Sequence, residues 1–435
     1  MNLTEDQILS LAPDDSAKKS GKELANFSKW GKLNVSSRAL WGECQGSGKL
    51  PYQTQVDLQS IAFKCSCPSR KFPCKHGLGL LTLYARDRQK FSSADEPDWV
   101  TAWLDKRNER EEKKAEKKVR EGPVDEVAQA KRQQNRMKRI ESGLEELTLW
   151  MKDMIRNGII DIPGRDPSHF ENMARRMVDA QAPGLATMVR ELANVNMFQD
   201  GWQTPFLDQL ARMFLVANGI SRLPTLSPEW QYELRTQVGI AQDQEELKLS
   251  SSICDKWLVL AKQSVKEEAL TTERNWLYGI NSGKYALVLQ FYVKGQVPEL
   301  NLLPGSALDA DMVFFKGVCT LRALVKENRG VSDSGLPVGF NSWTEVLIEQ
   351  ASVSNLTPLH NQLPAIVNNV TPLYSDGHWF LRDEFNEGVR LNTTNVDPWK
   401  LMAISGGAPV KLFVMGREQI FTALGVWIEN QYILL

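Results

Sequence analysis

Four side chains near the front of this chain constrain its folding more than any others. Cys65, Cys67, Cys74 and His76 form the pattern C-x-C, six residues, C-x-H, inside FKCSCPSRKFPCKHGLGLLTLY, so that all four fall within twelve residues. A closed tetrahedral shell takes three thiolates and one neutral imidazole and leaves no position open for water, which is the coordination of structural zinc. The spacing therefore predicts one structural Zn2+ held by Cys65, Cys67, Cys74 and His76. Residues two apart in extended backbone point the same way, so Cys65 and Cys67 grip an ion together from one strand or hairpin arm. Pro68 and Pro73 frame the turn that follows. Pro73 suits the entry to a helix, with Cys74 and His76 in its first turn, where the positive end of the helix dipole favours thiolate. Leu78, Leu80, Leu81, Leu83 and Tyr84 continue that helix. Three thiolates and a divalent ion leave a net negative charge, and Lys64, Arg70, Lys71 and Lys75 lie close enough in sequence to offset it. Unpaired cysteines around a core histidine, or a disulfide pair, would not call for this spacing.

The four ligands match the C-x-C…C-x-H pattern of the SWIM-type zinc finger without departure. From Trp41 to Tyr84, including GECQGSGKLPYQTQVDL, the chain resembles the bacterial SWIM zinc-finger family proteins. The resemblance implies a ββα zinc module at about residues 52–88 and covers only the front of the chain. It also implies company, because relatives of this kind look like companions of MoxR-type AAA+ ATPases and von Willebrand factor A domain proteins. A nucleic-acid-binding role is associated with SWIM modules as well.

A chain of 435 residues, 42% hydrophobic and 24% charged, has the composition of a globular protein of about two to four domains. Nowhere does it hold a run of about eighteen apolar residues, so no membrane span is expected. MNLTEDQILSLAPDD lacks a basic stretch followed by an apolar core, which argues against a secretory signal. The clustering of cysteines at a metal site points to the reducing cytoplasm. Cys44, Cys254 and Cys319 stand apart and read as small buried residues. Charge is unevenly spread: Ser60 to Ile140 holds 20 Lys and Arg against 12 Asp and Glu, while the chain as a whole carries a net charge of −1.

Read in order, the expected fold class is α+β, with a small zinc module, a charged helical linker, a mainly helical middle domain and a C-terminal domain on a β-sheet. Residues 1–98 form the N-terminal region. Short helical patterns run over 3–12 and 14–26, the second capped by Asp14 or Asp15, and Trp30 to Leu58 reads as strands with a Tyr52, Thr54, Val56, Leu58 face. GSGK fails as a phosphate loop, because Glu43 and Leu50 occupy the places of an obligatory Gly and Ser or Thr; its glycines suit a hairpin turn.

Residues 99–139 form a charged linker or helix, in which Glu109 with Lys113 and Glu116 with Arg120 are favourable i, i+4 pairs and Gly122–Pro123 a break. KRQQNRMKRI adds five cations without an acid, a solvated helix face or a contact for nucleic acid.

The helical domain is placed at 140–272. Its stripes are Ile140, Leu144, Leu147, Met151, Met154 and Ile155; Leu185, Met188, Val189 and Leu192; Leu207, Leu210, Ala211, Phe214 and Leu215; and Ile253, Trp257, Leu260 and Ala261. Residues 273–435 carry β-forming runs such as YALVLQFYV and VKLFVM, a helix from Ser342 to Glu349, and a hairpin around Gly416 and Arg417.

No catalytic set is legible. His169, His360 and His378 stand alone, and the polar group Asp376, His378, Arg382, Asp383 and Glu384 reads as a hydrated loop. A saturated zinc shell does not activate water, so a structural rather than enzymatic role is expected. Two function classes follow: a protein-interaction component, and a nucleic-acid-binding zinc protein.

Overall fold

The computed structural model describes residues 3–46, 50–119, 126–164, 166, 168–266, 270–293, 298, 300–332, 335–360, 362–394 and 396–435, with side chains described for all of these except 108 and 110–130. The architecture is α+β, in four parts.

The first part is the zinc module. Helices α1 (Glu5–Leu9) and α2 (Asp15–Leu24) lead into strands β1 (Trp30–Val35), β2 (Ala39–Cys44), β3 (Tyr52–Asp57) and β4 (Ala62–Cys65), then α3 (Lys75–Arg86) and a short β5 (Ser92–Ser93). The sheet order is β4-β3-β2-β1-β5. Asp14 caps α2 as expected, its carboxylate accepting from the Ala17 N–H at 2.8 Å. Gly21 and Gly79 let α2 and α3 cross closely: a Cβ on Gly79 would stand 3.0 Å from Leu24 Cβ. The core gathers Ile8, Leu40, Val56, Phe63, Leu80 and Leu83.

Helix α4 (Asp98–Val119) starts on this module instead of leaving it. Val100 and Leu104 are buried against Ala39 and Trp41, and Arg107 donates to Ser60 Oγ at 3.0 Å. The boundary expected at 98/99 is therefore corrected. The first turns of α4 have an apolar face, and the solvated character begins only with the charged run after them. The expected pairs at Glu109–Lys113 and Glu116–Arg120, the break at Gly122–Pro123 and the GSGK turn rest on groups outside the described residues.

The second part is a helical bundle of α5 (Glu126–Arg156), α6 (Ser168–Asp179), α7 (Pro183–Ala193), α8 (Gln203–Ser221) and α9 (Pro228–Gln237), followed by α10 (Gln244–Lys248). Helix α5 runs through residue 140 without a boundary. Its predicted stripe is buried except Ile155, which is half exposed. On α8 the sequence-based stripe is corrected: Phe206, Leu210, Met213, Val216, Ala217 and Ile220 face the core, whereas Leu207, Phe214 and Leu215 are 40%, 38% and 45% exposed.

Strand β6 (Ile253–Lys266) overturns the fourth helical stripe and ends the helical domain before residue 253, not at 272. Trp257 and Val259 point into one core while Leu258, Leu260 and Ala261 point into another, so both faces are buried and the apolar run shows no alternation.

With β7 (Leu270–Gly279), β8 (Tyr285–Val293), β9 (Ala307–Phe314) and β10 (Arg322–Ser332), β6 closes a barrel of order β10-β8-β7-β6-β9. Every neighbouring pair is antiparallel except β8 with β10. Counted from the first barrel strand, the circuit is 1-2-3-5-4-1, the strand order of an OB barrel. Between β8 and β9 the described residues 300–303 plug the barrel: Leu302 enters the barrel core and Leu303 the core of the zinc module.

The fourth part is a six-stranded sheet, β13-β12-β11-β14-β15-β16, built from β11 (Leu363–Ser375), β12 (His378–Arg382), β13 (Gly388–Leu391), β14 (Val410–Arg417), β15 (Ile420–Ile428) and β16 (Gln431–Leu434). Helices α11 (Trp343–Leu356, capped by Ser342) and α12 (Pro398–Ser405) accompany it. The expected hairpin is present, with Arg417 opposite Ile420. Where one C-terminal sheet domain was expected, the region holds a barrel and a sheet packed together through Ile366, Phe413, Met415 and Trp427.

Candidate metal centre

Strand β4 ends on Cys65, an exposed loop carries Cys67, and α3 begins immediately after Cys74, which occupies its N-cap with extended backbone. His76 lies in the first turn of α3. Pro73 precedes the cap through a cis peptide bond with Phe72. The four ligand atoms of Cys65, Cys67, Cys74 and His76 all lie within 4.8 Å of one another. His76 Nδ1 is 3.7 Å from Cys65 Sγ and 4.0 Å from Cys74 Sγ. Zinc bonds of ~2.0–2.3 Å give tetrahedral ligand-to-ligand edges of about 3.5–3.8 Å, so the donors stand almost at coordination distance from one another. The residues fit one structural Zn2+.

Charge sharing among the thiols points the same way. The Cys65 thiol, assisted by His76 and the Gly77 N–H and despite burial, holds Cys74 down to about 4. The same hydrogen bond and burial push Cys65 up, and burial pushes Cys67 up. A divalent ion takes the place of the shared protons and lets all three sulfurs ionise together.

Two supporting residues were not singled out from the sequence. Thr54, fully buried and opposite Cys65 in the β3–β4 register, places Oγ1 3.2 Å from Cys65 Sγ. Against a zinc-bound thiolate only the hydroxyl has a proton to donate, so Thr54 steadies that ligand. The Tyr52 ring packs on the His76 ring at 5.0 Å between centroids. Both belong to the period-two face of β3, and that alternation was the signal that could have found them. Gly77 completes the fit, since a Cβ there would lie 2.8 Å from Phe63 Cδ1.

The loop between the ligand pairs is the exposed part of the module. Pro68, Ser69, Arg70, Lys71 and Phe72 are exposed, Phe72 by 44%, while Lys71 pairs with Asp14 at 2.8 Å and ties the loop to the start of α2. Phe63 and Leu78 are buried and Tyr84 is half-buried against Phe91.

Of the polar group read from the sequence around His378, Asp383 serves the fold. Asp383 is buried and accepts from the backbone N–H groups of Trp343, Phe385 and Glu387 at 2.9, 3.0 and 2.9 Å, organising a turn and the start of α11. His378 lies 2.8 Å from Arg390, exposed on β12. Cys44 is buried, but Cys254 is exposed and bonded to Arg329, which corrects its expected burial; Cys319 is intermediate. Among the described residues no helix is long and apolar enough to cross a membrane.

Comparison with known proteins finds two matches. Residues 52–85 match the SWIM zinc finger, and residues 135–238 match the SWIM-associated four-helix bundle domain. No curated protein and no solved structure gives a significant match. The first matched segment contains all four ligands, and the second runs from the latter part of α5 to the end of α9. The chain thus carries a SWIM zinc finger with a Cys3His centre at the end of a ββα module, followed by the SWIM-associated four-helix bundle domain.

Proposed function

We propose that this protein is a non-enzymatic, cytoplasmic interaction component of a multi-protein assembly, with zinc holding the docking loop in shape. The observation that carries the reading is the loop Pro68–Phe72, which presents a half-exposed aromatic beside Arg70 and Lys71 between the two pairs of zinc ligands. An aromatic anchor beside Arg and Lys suits the centre and rim of a protein interface. Phe72 is the apolar side chain of the zinc finger that is open for this, since Phe63 and Leu78 are buried. The exposed Leu207, Phe214 and Leu215 of α8 offer a second apolar contact. The resemblance at the zinc finger suggests the partner class, a MoxR-type AAA+ ATPase together with a von Willebrand factor A domain protein.

The alternative is nucleic-acid binding, favoured by Lys131, Lys138 and Arg139 exposed on α5. No aromatic side chain alternates with them to stack on bases, as sequence-tolerant single-strand binders require. Capture from the native host tests the two. Wild-type protein recovers a protein partner that Cys74→Ser and Phe72→Ala lose, while any binding to nucleic acid is unchanged by Cys74→Ser. Zinc-dependent nucleic-acid binding with no protein recovered reverses the order.

A further inference from the structure

A cavity of about 1130 Å³ lies between the barrel, the bundle and the hairpin tip of the C-terminal sheet. Its position follows from the barrel's topology. In OB barrels the outer face of the second and third strands, with the loop between the fourth and fifth, is where oligonucleotides and oligosaccharides lie. Here those strands are β7 and β8. Trp276 stands opposite Leu287 and Tyr278 opposite Tyr285 on the outer face. The C-terminal sheet covers the Tyr278 and Tyr285 end, where the Ile366 N–H donates to Tyr285 Oη at 2.9 Å. Trp276 and Leu287 pack in the same cluster and reach the cavity only at its edge, Arg274 is exposed to it, and the loop from Phe315 to Leu321 walls it.

Charge bookkeeping within the cavity leaves cations over. Asp208 is bonded to Arg212, Glu418 lies 3.8 Å from Arg417, and Glu233 accepts from Gln237 at 3.1 Å. Burial pushes the fourth carboxyl, Glu191, up despite the attraction of Arg274. Among the described residues Arg322 meets burial and no carboxylate, and the carboxyl that Arg274 attracts is Glu191. Arg322 instead stacks on the Phe315 ring, 4.3 Å from its centroid. Gln209 Oε1 lines the cavity buried without a hydrogen-bond partner, and His360 Nε2 faces Glu233 at 3.9 Å, beyond hydrogen-bond distance.

We infer that this cavity is a nucleotide-binding cleft, with Arg274 and Arg322 taking phosphate, the Arg322–Phe315 stack and the edge of Trp276 lining the place of a base, and Gln209 reading the edge of that base. A guanidinium matches phosphate by a two-pronged hydrogen bond. The same chemistry is offered by a free nucleotide and by one unit of a single strand. The volume exceeds the ~300–1,000 Å³ of ordinary small-ligand pockets. The cleft is separate from the zinc module and stands or falls independently of the docking role.

The test uses the full-length zinc-loaded protein with fluorescein-labelled random octamers of RNA and DNA, read by anisotropy, with AMP and inorganic phosphate as competitors. Arg274 is an exposed side chain, so Arg274→Ala removes the cation and keeps the fold, which circular dichroism checks. Octamer binding is expected to weaken at least tenfold in Arg274→Ala and in Arg322→Gln. The slope of log affinity against log salt should fall by about 0.7 for each phosphate that the variant no longer neutralises. Competition by AMP assigns the cleft to a free nucleotide, and octamer binding that AMP does not displace assigns it to a strand; either outcome supports the cleft. The inference is overturned if neither octamer nor AMP binds at low salt, or if inorganic phosphate competes as well as AMP. It is equally overturned if both arginine variants bind normally while alanines at Lys131, Arg132, Lys138 and Arg139 abolish binding.

Discussion

The zinc module and the helical bundle solve the same problem by different means. In the bundle, α5 to α9 bury a continuous apolar core that runs from Ile140 through Phe206 to Val238, and no metal cluster is found there among the described residues. The module must organise an exposed, cation-rich loop that has little to bury, and it does so by converging Cys65, Cys67, Cys74 and His76 on one point. Neither is closed by its own segment. Leu303, from the barrel's plugging loop, completes the module core, and Leu359, from beyond α11, completes the bundle core. Apolar burial scales with the length of chain available, whereas a metal supplies cohesion where that length is short.

The comparison breaks most decisively at the metal. Structural zinc in small modules carries ~10–16 kcal/mol of apparent binding energy at neutral pH, more than so small a core replaces. Cys74→Ser, or a chelator, is expected to remove the ion and unfold residues 52–85 while the bundle stays folded. Elemental analysis and hydrogen exchange resolved by segment check this; loss of protection in α6 to α8 together with the module would void the contrast. Because the ligands must lose their protons to bind, zinc should be released as the pH falls.

On the other side, Phe206→Ala should cost the bundle about 3–5 kcal/mol, the usual loss for a buried aromatic. Phe206 is fully buried and meets Phe170 and Trp202 edge to face. Zinc content should not change. A denaturant midpoint no lower than wild type would show that α8 does not anchor this core.

Two glycines sharpen the comparison at smaller scale. A Cβ on Gly184 would lie 2.0 Å from the Gln237 carbonyl oxygen, against 3.0 Å between Gly79 and the Leu24 side chain. A 2.0 Å overlap forces backbone apart, whereas 3.0 Å asks for a shift of a few tenths of an ångström, so Gly184→Ala should cost the bundle about 1–3 kcal/mol, and Gly79→Ala less. Thermal melts of the two variants give the ranking directly, and the opposite order would contradict the packing.

The smallest effect concerns Glu96, bonded to Arg38 and Ser36 where α4 meets the module. Burial pushes its carboxyl up, yet the hydrogen bonds of Arg38 and Ser36 outweigh this and hold it below the usual range. A lowered folded-state value means the contribution is present above the unfolded carboxyl range and is lost as pH falls through the folded one. Arg38 is 41% exposed at its side chain, so screening limits the pair to no more than about 1 kcal/mol. Glu96→Gln should lower stability slightly at pH 7 and not at all in strong acid, measured by denaturant titration at both.

Much of this was legible in the chain and some was not, for reasons that differ by residue. Asp14 was readable as a cap because a cap is a contact across three residues. Helix α8 was misread by one face because Phe206, Leu207, Leu210, Phe214 and Leu215 make it apolar nearly all round, and periodicity cannot select a side. Strand β6 was misread as helix because it is sandwiched between the barrel interior and the C-terminal sheet, which erases the period of two.

What the sequence determined by itself is the metal centre, its ligands and the ββα frame, because twelve consecutive residues contain the whole coordination shell and local backbone geometry aims it. Only the tertiary structure decided the rest. That β8 pairs with β10 and not β9, that the C-terminal sheet covers part of the barrel face, and that Arg274 and Arg322 meet in one cavity all depend on contacts between residues far apart in the chain. Such contacts are selected by which buried surfaces fit together, and no spacing within a segment records that choice.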